Sequence, residues 1–313
     1  MNSLPLLYFP TTTVILDDEQ SFLEHLEAGL DGETGETQFF NNPKEALSFI
    51  QKKGIASLNH EDWIQLEETE EESEKCVLSI QIQNLHNKIR DLSRFNQVST
   101  IVVDYHMGDM NGVDFCKQIT NPYVQKILLT GVADEQVGIE ALNNGWINQY
   151  VRKQDADMLE KVIAAIKRAQ RKCFSKLTQG LHFAITQQTE DTALADHCFA
   201  DHFLEQIDLE TISEFYLTEA MGCFLLVGQD SKQQYWFTQT RAKAESNLQL
   251  IEHWIESEKN KNDLENFEKI ICCPAPQNFV TPESANYEPY LFSAQKVEGQ
   301  QVYYCAITPN LIG

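Results

Sequence analysis

Apolar and polar positions in the first half of the chain follow a repeating pattern. Runs of consecutive apolar and β-branched residues, typical of strands buried on both faces, alternate with segments whose apolar residues recur every three or four positions, typical of amphipathic helices. The predicted strands are residues 11–16, 36–41, 100–103, 126–129 and 147–151; the predicted helices are residues 20–30, a segment starting at Asn42–Pro43, one spanning Val113 to Ile119, residues 133–144 and residues 155–175. This order predicts a doubly wound α/β domain, in which helices cover both faces of a five-stranded parallel sheet.

Residues 52–98 interrupt this order with a different pattern. The stretch from Glu61 to Glu74 holds eight acids and no base, which predicts a solvated loop. From Leu78 to Leu92 the apolar residues then recur at steps of four, three, four and three, the spacing of a helical heptad seam. We therefore expect a helical insertion. Two interpretations stay open: an amphipathic helix packed on its own domain, or a helix that forms a dimer or binds a partner.

The pattern changes again after residue 175. Residues 175–210 have helical spacing, and shorter segments of strand character follow, separated by turns. The predicted strands are 214–218, 223–227, 234–238, 290–296 and 301–307, and one helix is predicted at about 241–260. Strands joined by short turns favour an antiparallel sheet. We therefore expect two domains, an α/β domain at residues 1–174 with an insertion at 52–98, and an α+β domain at residues 175–313.

The chain has a strong net negative charge. The 313 residues include 47 Asp and Glu against 24 Lys and Arg, a formal net charge of −23. The excess is spread over both predicted domains, −11 in residues 1–174 and −12 in residues 175–313. Binding to a phosphate backbone needs clustered Lys and Arg, so the charge argues against nucleic acid as a partner of either domain.

Cysteine usage and hydropathy predict a cytoplasmic protein. The eight cysteines are scattered, and Cys272 and Cys273 are adjacent rather than spaced as a metal-binding or redox pair. We therefore expect reduced, buried thiols. The sequence has no apolar run of about 18 residues, so no membrane span is expected. The first ten residues lack the basic start of a signal peptide.

Polar side chains follow four of the predicted strands at their carboxyl ends, where parallel sheets bind ligands. They are Asp17, Asp18, Asp104, Thr130 and Lys153. Three carboxylates at one sheet edge repel one another unless a cation lies among them, and an all-oxygen ligand set suits Mg²⁺. With the Thr130 hydroxyl and the Lys153 ammonium, the group predicts in-line phosphoryl transfer onto Asp104. Each residue alone also fits a helix cap, a turn or a solvated lysine, but five such coincidences argue against that interpretation.

Four segments built around these residues resemble one known family. They are VILDDEQ (14–20), IVVDYHMGDMNGVDFC (101–116), ILLTG (127–131) and YVRKQ (150–154). In order and placement they are similar to the receiver domain of two-component response regulators, over roughly residues 11–172 and excluding most of the insertion. The resemblance implies a flavodoxin-like fold for this part of the chain.

The resemblance also implies functional assignments. A sensor histidine kinase would phosphorylate Asp104, and the protein would form a homodimer on phosphorylation. Mg²⁺ would be bound by Asp17, Asp18, Asp104 and the backbone carbonyl of His106. Thr130 and Tyr150 would be the two switch residues, with Tyr150 turning inward when Thr130 moves to the phosphoryl group; Lys153 and Thr130 would contact that group.

The chain departs from the family pattern at two positions. Gly108 stands where the family usually has proline, which we expect to loosen the loop after Asp104. Gln154 follows Lys153 where the family again has proline, so a cis peptide is not expected there. Both departures leave the lifetime of a phosphoryl group on Asp104 open.

A narrower resemblance concerns one subgroup of response regulators with a C-terminal domain of poorly defined function. The segments that carry it are LHNKIRDLSRF (85–95), KILLTGVADEQ (126–136), FYLTEAMGCFLLVG (215–228) and VYYCAI (302–307). The response regulators of α-hydroxyketone quorum sensing have this general layout. The resemblance therefore implies a role in quorum-sensing signalling.

Three functions remain open for the output of residues 175–313. The first is a phosphorylation-dependent switch that acts on a protein or small-molecule partner. The second is a transcription regulator that binds DNA, which the charge of this half opposes. The third is a nucleotide-binding or enzymatic output, although the sequence shows no catalytic set. We expect aromatic residues such as Trp236 and Tyr303 to be sheet core, and His182, His197 and His202 to be structural.

Overall fold

The computed structural model describes residues 3–57, 63–67, 77–108, 110–131, 135–252, 255–272 and 287–309. The chain divides into two compact units: the first comprises Met1–His60 and Asn87–Gln179, the second Glu61–His86 and Gly180–Gly313. Part of the predicted insertion therefore groups with the C-terminal half of the chain. The sequence-based boundary between residues 174 and 175 stays a prediction.

Strands and helices alternate through the first unit and group separately in the second. The strands are β1 (Leu7–Tyr8), β2 (Thr12–Leu16), β3 (Thr37–Phe40), β4 (Ile64–Glu67), β5 (Val77–Ile80), β6 (Val98–Asp104), β7 (His106–Met107), β8 (Met110–Asn111), β9 (Gln125–Thr130), β10 (Gln149–Arg152), β11 (Ile212–Glu219), β12 (Cys223–Gly228), β13 (Gln233–Thr240), β14 (Lys269–Ile271), β15 (Leu291–Ser293), β16 (Gln295–Glu298) and β17 (Val302–Pro309). The α-helices are α1 (Gln20–Leu30), α2 (Pro43–Lys53), α3 (Gln83–His86), α4 (Gly112–Gln118), α5 (Glu135–Asn143), α6 (Met158–Gln188), α7 (His197–Leu209), α8 (Arg241–Ile251) and α9 (Glu258–Glu265).

The first unit is built on a five-stranded parallel sheet in the order β3-β2-β6-β9-β10. Every residue of β2 and β6 is buried, as expected for central strands with helices on both sides. The predicted α/β class is confirmed. Because all five strands run the same way, their carboxyl ends share one edge of the sheet. There Leu16, the last residue of β2, is paired with Val103 of β6.

Local signals in the sequence explain where two helices of the first unit lie. The Asn42 side chain accepts a hydrogen bond from the Lys44 backbone N–H, and Pro43 occupies the first turn of α2. Helix α1 follows β2 after a few residues and buries Leu23 and Leu26 in the core under the sheet. It therefore starts directly beside the edge where β2 ends.

The helix expected from Leu78 to Leu92 is a wrong prediction. Strand β5 covers the start of this stretch and pairs antiparallel with β4, and only α3 and two short 3₁₀ turns follow it. The chain turns out of the strand where the Gln81 N–H bonds to the Trp63 carbonyl, and Asp91 caps a new turn by accepting from the Ser93 N–H. Backbone partners outside the segment thus override the heptad spacing, and Leu92 is 76% exposed. Most of the acidic stretch before it lies outside the described residues.

The second unit contains an antiparallel sheet in which β11, β12, β13, β17 and β16 are neighbours in that order. The α+β class and the three strands expected between residues 214 and 238 are confirmed. The strand expected at 290–296 divides in two, because β15 pairs with β14 while β16 pairs with β17. Trp236 and Tyr303 are each 1% exposed, so both are sheet core as expected.

The single helix expected at 241–260 is also wrong. Two helices, α8 and α9, occupy this region. Thr240 caps the first by accepting from the Lys243 N–H, and Ser257 caps the second by accepting from the Asn260 N–H. The second cap starts a new helix within a segment that apolar spacing alone makes continuous.

The helix α6 extends well past its expected end and has 31 residues. The segment expected to be helical at 175–210 is the end of α6 and, after a short 3₁₀ turn, α7. Within the part of the chain that the structure describes, no helix is long and apolar enough to span a membrane.

Six of the cysteines are described, and all six are free thiols. Five of these are buried, as the sequence predicts, while Cys198 is half-buried. Burial raises the pKa of the Cys116 thiol to about 12. Cys76 and Cys273 lie outside the described residues.

Candidate functional site

The carboxyl edge of the parallel sheet brings together the polar residues that the sequence singled out. Asp17 and Asp18 follow β2, Asp104 ends β6, Thr130 ends β9, and Lys153 follows β10. Backbone hydrogen bonds hold these ends in line: the Asp17 N–H bonds to the carbonyl of Phe40, and the Lys153 N–H bonds to the Thr130 carbonyl at 2.9 Å.

The Lys153 side chain lies at the centre of the group. Its Nζ lies 2.6 Å from Oδ2 of Asp17 and 2.9 Å from Oδ1 of Asp104. The Asp17 side chain is fully buried and that of Lys153 is 19% exposed. One ammonium thus offsets two carboxylates in a site with little water, where charge interactions are much stronger than at a surface.

The charges at this site shift the pKa of two groups. Burial raises the pKa of Asp104, and the neighbouring Asp17 carboxylate adds to it, which together outweigh the hydrogen bond from Lys153. Burial alone would lower the pKa of Lys153, but its hydrogen bonds to Asp104 and Asp17 reverse the direction and raise it. A raised pKa of Asp104 and a raised pKa of Lys153 are compatible, because Lys153 gains two acidic partners whereas Asp104 shares its one lysine with Asp17.

The three carboxylates form a set suited to a hard divalent cation. Oxygens of Asp17, Asp18 and Asp104 lie within 4.8 Å of one another. Asp17 and Asp104 are buried whereas Asp18 is exposed, so the set is open to solvent on one side. Such a set, with only oxygen donors and few protein ligands, leaves room for the waters that Mg²⁺ retains. The residues present therefore fit Mg²⁺.

The Thr130 hydroxyl is a buried group that lacks a hydrogen-bond partner among the described residues. A buried hydroxyl without a partner is costly, and beside a cluster of charged groups it is available to hydrogen-bond a ligand oxygen. Thr130 also lies near Tyr150, since a Cβ added at Gly138 of α5 would be 3.5 Å from Cγ2 of Thr130 and 3.4 Å from Cγ of Tyr150. Gly138 of α5 thus lies close to both side chains that were expected to be the switch pair.

The segment after Asp104 has glycine at two positions that disfavour a side chain. Gly108 has a positive φ of 34°, and its N–H donates to Oδ2 of Asp18 at 3.2 Å, which proline could not do. A Cβ at Gly112 would be 2.2 Å from the Asp104 carbonyl oxygen, so only glycine lets α4 start this close. Before α4, β7 and β8 pair antiparallel and place His106 opposite Asn111.

Sequence reasoning missed two groups that touch the site. The Phe22 ring of α1 lies under Lys153, with Nζ 4.2 Å from the ring centroid. The Glu19 backbone N–H donates to Oδ1 of Asp17 at 2.9 Å. Apolar spacing assigns Phe22 to the core stripe of α1, and no pattern in the sequence distinguishes it from Leu23. A backbone donor carries no sequence signal at all.

A second group of potential metal ligands lies in the second unit. Ligand atoms of Asp196, His197 and Cys198 are within 4.8 Å of one another. Asp196, however, caps α7 by accepting from the Cys198 N–H and also accepts from the Gln300 N–H. The carboxylate is therefore used by the fold, at a helix start whose dipole disfavours a cation.

The other two histidines of interest make structural contacts. Nε2 of His182 lies 3.0 Å from the Leu194 carbonyl oxygen, and burial lowers the pKa of His182. His202 lies against the Trp236 ring and hydrogen-bonds to Gln295 at 3.0 Å. Both contacts agree with the structural interpretation.

Comparison with solved structures finds a similarity that extends over nearly the whole chain. The response regulator LqsR of Legionella pneumophila is 28% identical with a TM-score of 0.72, and the match covers 99% of this chain and 90% of that one. The resemblance to response regulators is thereby confirmed.

Two receiver domains match about half of the chain. One is from Clostridium thermocellum (18% identity, TM-score 0.36, 52% of this chain and 95% of that one) and one from Francisella (15%, 0.34, 52% and 98%). Neither the comparison with protein-family models nor that with curated proteins finds a match.

Proposed function

We propose that this chain is a phosphorylation-dependent response regulator that accepts a phosphoryl group on Asp104 from a histidine kinase. One observation carries the proposal: a single ammonium, that of Lys153, contacts both Asp17 and Asp104, next to a buried Thr130 hydroxyl that has no partner among the described residues. The whole-length similarity to a response regulator supports the same function.

The chain's own groups have distinct roles in the transfer. An ionised Asp104 oxygen attacks phosphorus in line, forming the acyl phosphate as the bond from phosphorus to the kinase histidine breaks, and that histidine nitrogen takes up a proton from solvent. Lys153 offsets the charge on the transferring group, and the Thr130 hydroxyl donates a hydrogen bond to one of its oxygens. Little rearrangement is needed, since Lys153 already touches the acceptor.

Mg²⁺ is the proposed cofactor. Asp17, Asp18, Asp104 and the backbone carbonyl of His106 would hold it, and the ion would add positive charge where the phosphoryl oxygens gather. Asp18 is already oriented by the Gly108 N–H.

The proposed response to phosphorylation is a change in the surface formed by α5, β10 and α6. Thr130 and Tyr150 would couple the site to this surface past Gly138. Ile139 and Leu142 of α5 are 38% and 40% exposed, which supports homodimer formation there. The proposal extends to quorum-sensing signalling, supported by the narrower sequence resemblance and by the similarity to LqsR.

The output of residues 175–313 is proposed to act on a protein or small molecule. The net charge of −12 in these residues supports this class over DNA binding. No specific observation in the described residues favours a nucleotide-binding or enzymatic output.

The proposal is tested by intact-mass measurement after incubation with a histidine kinase or acetyl phosphate and Mg²⁺. We expect the mass of one phosphoryl group on the wild type and on Asp157→Asn, a control at an exposed aspartate immediately before α6, but none on Asp104→Asn. A phosphoryl group retained by Asp104→Asn would contradict the assigned acceptor. Sedimentation of the same samples tests the dimer, which we expect only where the phosphate is present.

A further inference from the structure

The Lys153 ammonium has one neighbour that neither charge nor the proposed transfer explains. Beside the two carboxylates, the Phe22 ring faces Nζ at 4.2 Å from the ring centroid. We propose that Phe22 is a positioning residue, which holds the Lys153 ammonium against Asp104 and so raises the rate of phosphoryl transfer. The inference rests on the proposed function and adds a residue to its site.

The position of Phe22 follows from the way α1 begins. The Phe22 and Leu23 N–H groups both bond to the Glu19 carbonyl, which starts the helix directly after Asp17 and Asp18. Leu23 turns into the core at 3% exposure, while Phe22 is half-buried and only packs against that core. Its ring is therefore free to lie on the site side of the helix, where it reaches Lys153.

The contact is suited to restrain a lysine. An ammonium has three N–H donors, and two are directed at Asp17 and Asp104. A lysine stem is flexible and loses considerable rotamer freedom when held. An aromatic face attracts the cation and covers one side of it, so that the ammonium has fewer alternative positions in water.

An aliphatic side chain at position 22 would be sufficient to pack against the core. Leucine has a similar apolar character and helix propensity, but it lacks the negative ring face that attracts an ammonium. The substitution Phe22→Leu therefore separates restraint of Lys153 from packing, and Phe22→Tyr keeps the ring face. The first unit offers a matched control, since the Arg94 guanidinium lies 3.9 Å from the Phe95 ring centroid and neither residue belongs to the site.

The experiment measures the rate of phosphorylation by acetyl phosphate with Mg²⁺ for the full chain. We expect Phe22→Leu to be slower by about fivefold, equivalent to ~1 kcal/mol, and Phe22→Tyr to restore the rate. Phe95→Leu should phosphorylate like the wild type. In a Lys153→Met background, where the partner is absent, Phe22→Leu should have no further effect on the rate.

A second measurement reports the contact without any phosphorylation. The ε-methylene group of Lys153 is bonded to Nζ, which lies 4.2 Å from the ring centroid, so we expect its proton NMR signals to be shifted upfield in the wild type and in Phe22→Tyr, and not in Phe22→Leu. A wild type without this shift overturns the contact. An unchanged rate in Phe22→Leu, or an equal loss in the Lys153→Met background, overturns the positioning role while the proposed function stands. A wild type that takes up no phosphate overturns the proposed function and the positioning role with it, even if the NMR shift is present.

Discussion

The edge of the parallel sheet in the first unit and the interior of the antiparallel sheet in the second unit bury polar groups in opposite ways. At the edge, Asp17, Asp104 and Lys153 are charged and nearly enclosed, and the Thr130 hydroxyl has no partner among the described residues. Such an arrangement costs stability and is kept where it performs chemistry. We therefore expect the sheet edge to contribute to function and the interior of the second sheet to contribute to stability.

The interior of the second sheet shows the stabilising arrangement. Phe203 of α7 has no exposed surface, and its ring packs against those of Phe224 at 4.4 Å and Trp236 at 5.1 Å between centroids. The one polar atom of the indole is satisfied, because Nε1 of Trp236 donates to Oγ1 of Thr238, which in turn donates to the Gly222 carbonyl. Around Phe203 and Trp236, burial is apolar, or polar with its hydrogen-bond partner supplied.

The largest expected effect on the free energy of unfolding is in the apolar interior of the second sheet. Phe203→Ala would leave a cavity among several rings, so we expect the free energy of unfolding to fall by about 3–5 kcal/mol in urea denaturation followed by circular dichroism. The control is Phe183→Ala, since Phe183 is 65% exposed and its truncation should change stability by less than about 0.5 kcal/mol. Equal losses in the two variants would contradict the claim that the buried rings around Phe203 stabilise the second unit.

A smaller effect is expected where a buried polar partner is removed. Thr238→Val keeps the shape of the side chain but leaves the Trp236 N–H and the Gly222 carbonyl without this partner. We expect a loss of about 1–3 kcal/mol in the free energy of unfolding, measured in the same way. Thr238→Ser, which keeps the hydroxyl, should lose less. The comparison weakens if valine is tolerated as well as serine.

The smallest expected effect is at the carboxyl edge of the parallel sheet, where a substitution should increase the free energy of unfolding and not decrease it. Because the pKa of Asp104 is raised in the folded state, its ionised form is less favourable there than in the unfolded chain, and the wild type loses stability as the pH rises through that pKa. Without Mg²⁺ and at neutral pH, we expect Asp104→Asn to be more stable than the wild type by roughly 0.5–2 kcal/mol. The gain should disappear as the pH falls towards the ordinary aspartate value of 3.8. Urea denaturation at neutral and acidic pH checks both the sign and the window, and a destabilised Asn variant at neutral pH would contradict the comparison.

The two regions also differ in how far the sequence predicted them. Continuous apolar runs predicted the parallel strands, and their order along the chain implied that Asp17, Asp104 and Lys153 share an edge. The pair formed by Trp236 and Thr238 could not be predicted, since it depends on how β12 and β13 meet. The helix predicted from Leu78 to Leu92 was wrong for a related reason. Strand β5 forms its hydrogen bonds with β4, and the spacing of apolar residues within the segment does not reveal this partner.

The class of each half and the chemical groups at the candidate site follow from the amino-acid sequence alone, because periodicity and strand-end residues are local properties of the chain. Three facts follow only from the folded structure: Lys153 bridges two carboxylates, the Thr130 hydroxyl is enclosed without a partner among the described residues, and Phe22 faces the ammonium. These facts depend on distances between side chains from separate elements. Those distances are set by how the strands register and how α1 packs beside them, which no local pattern encodes.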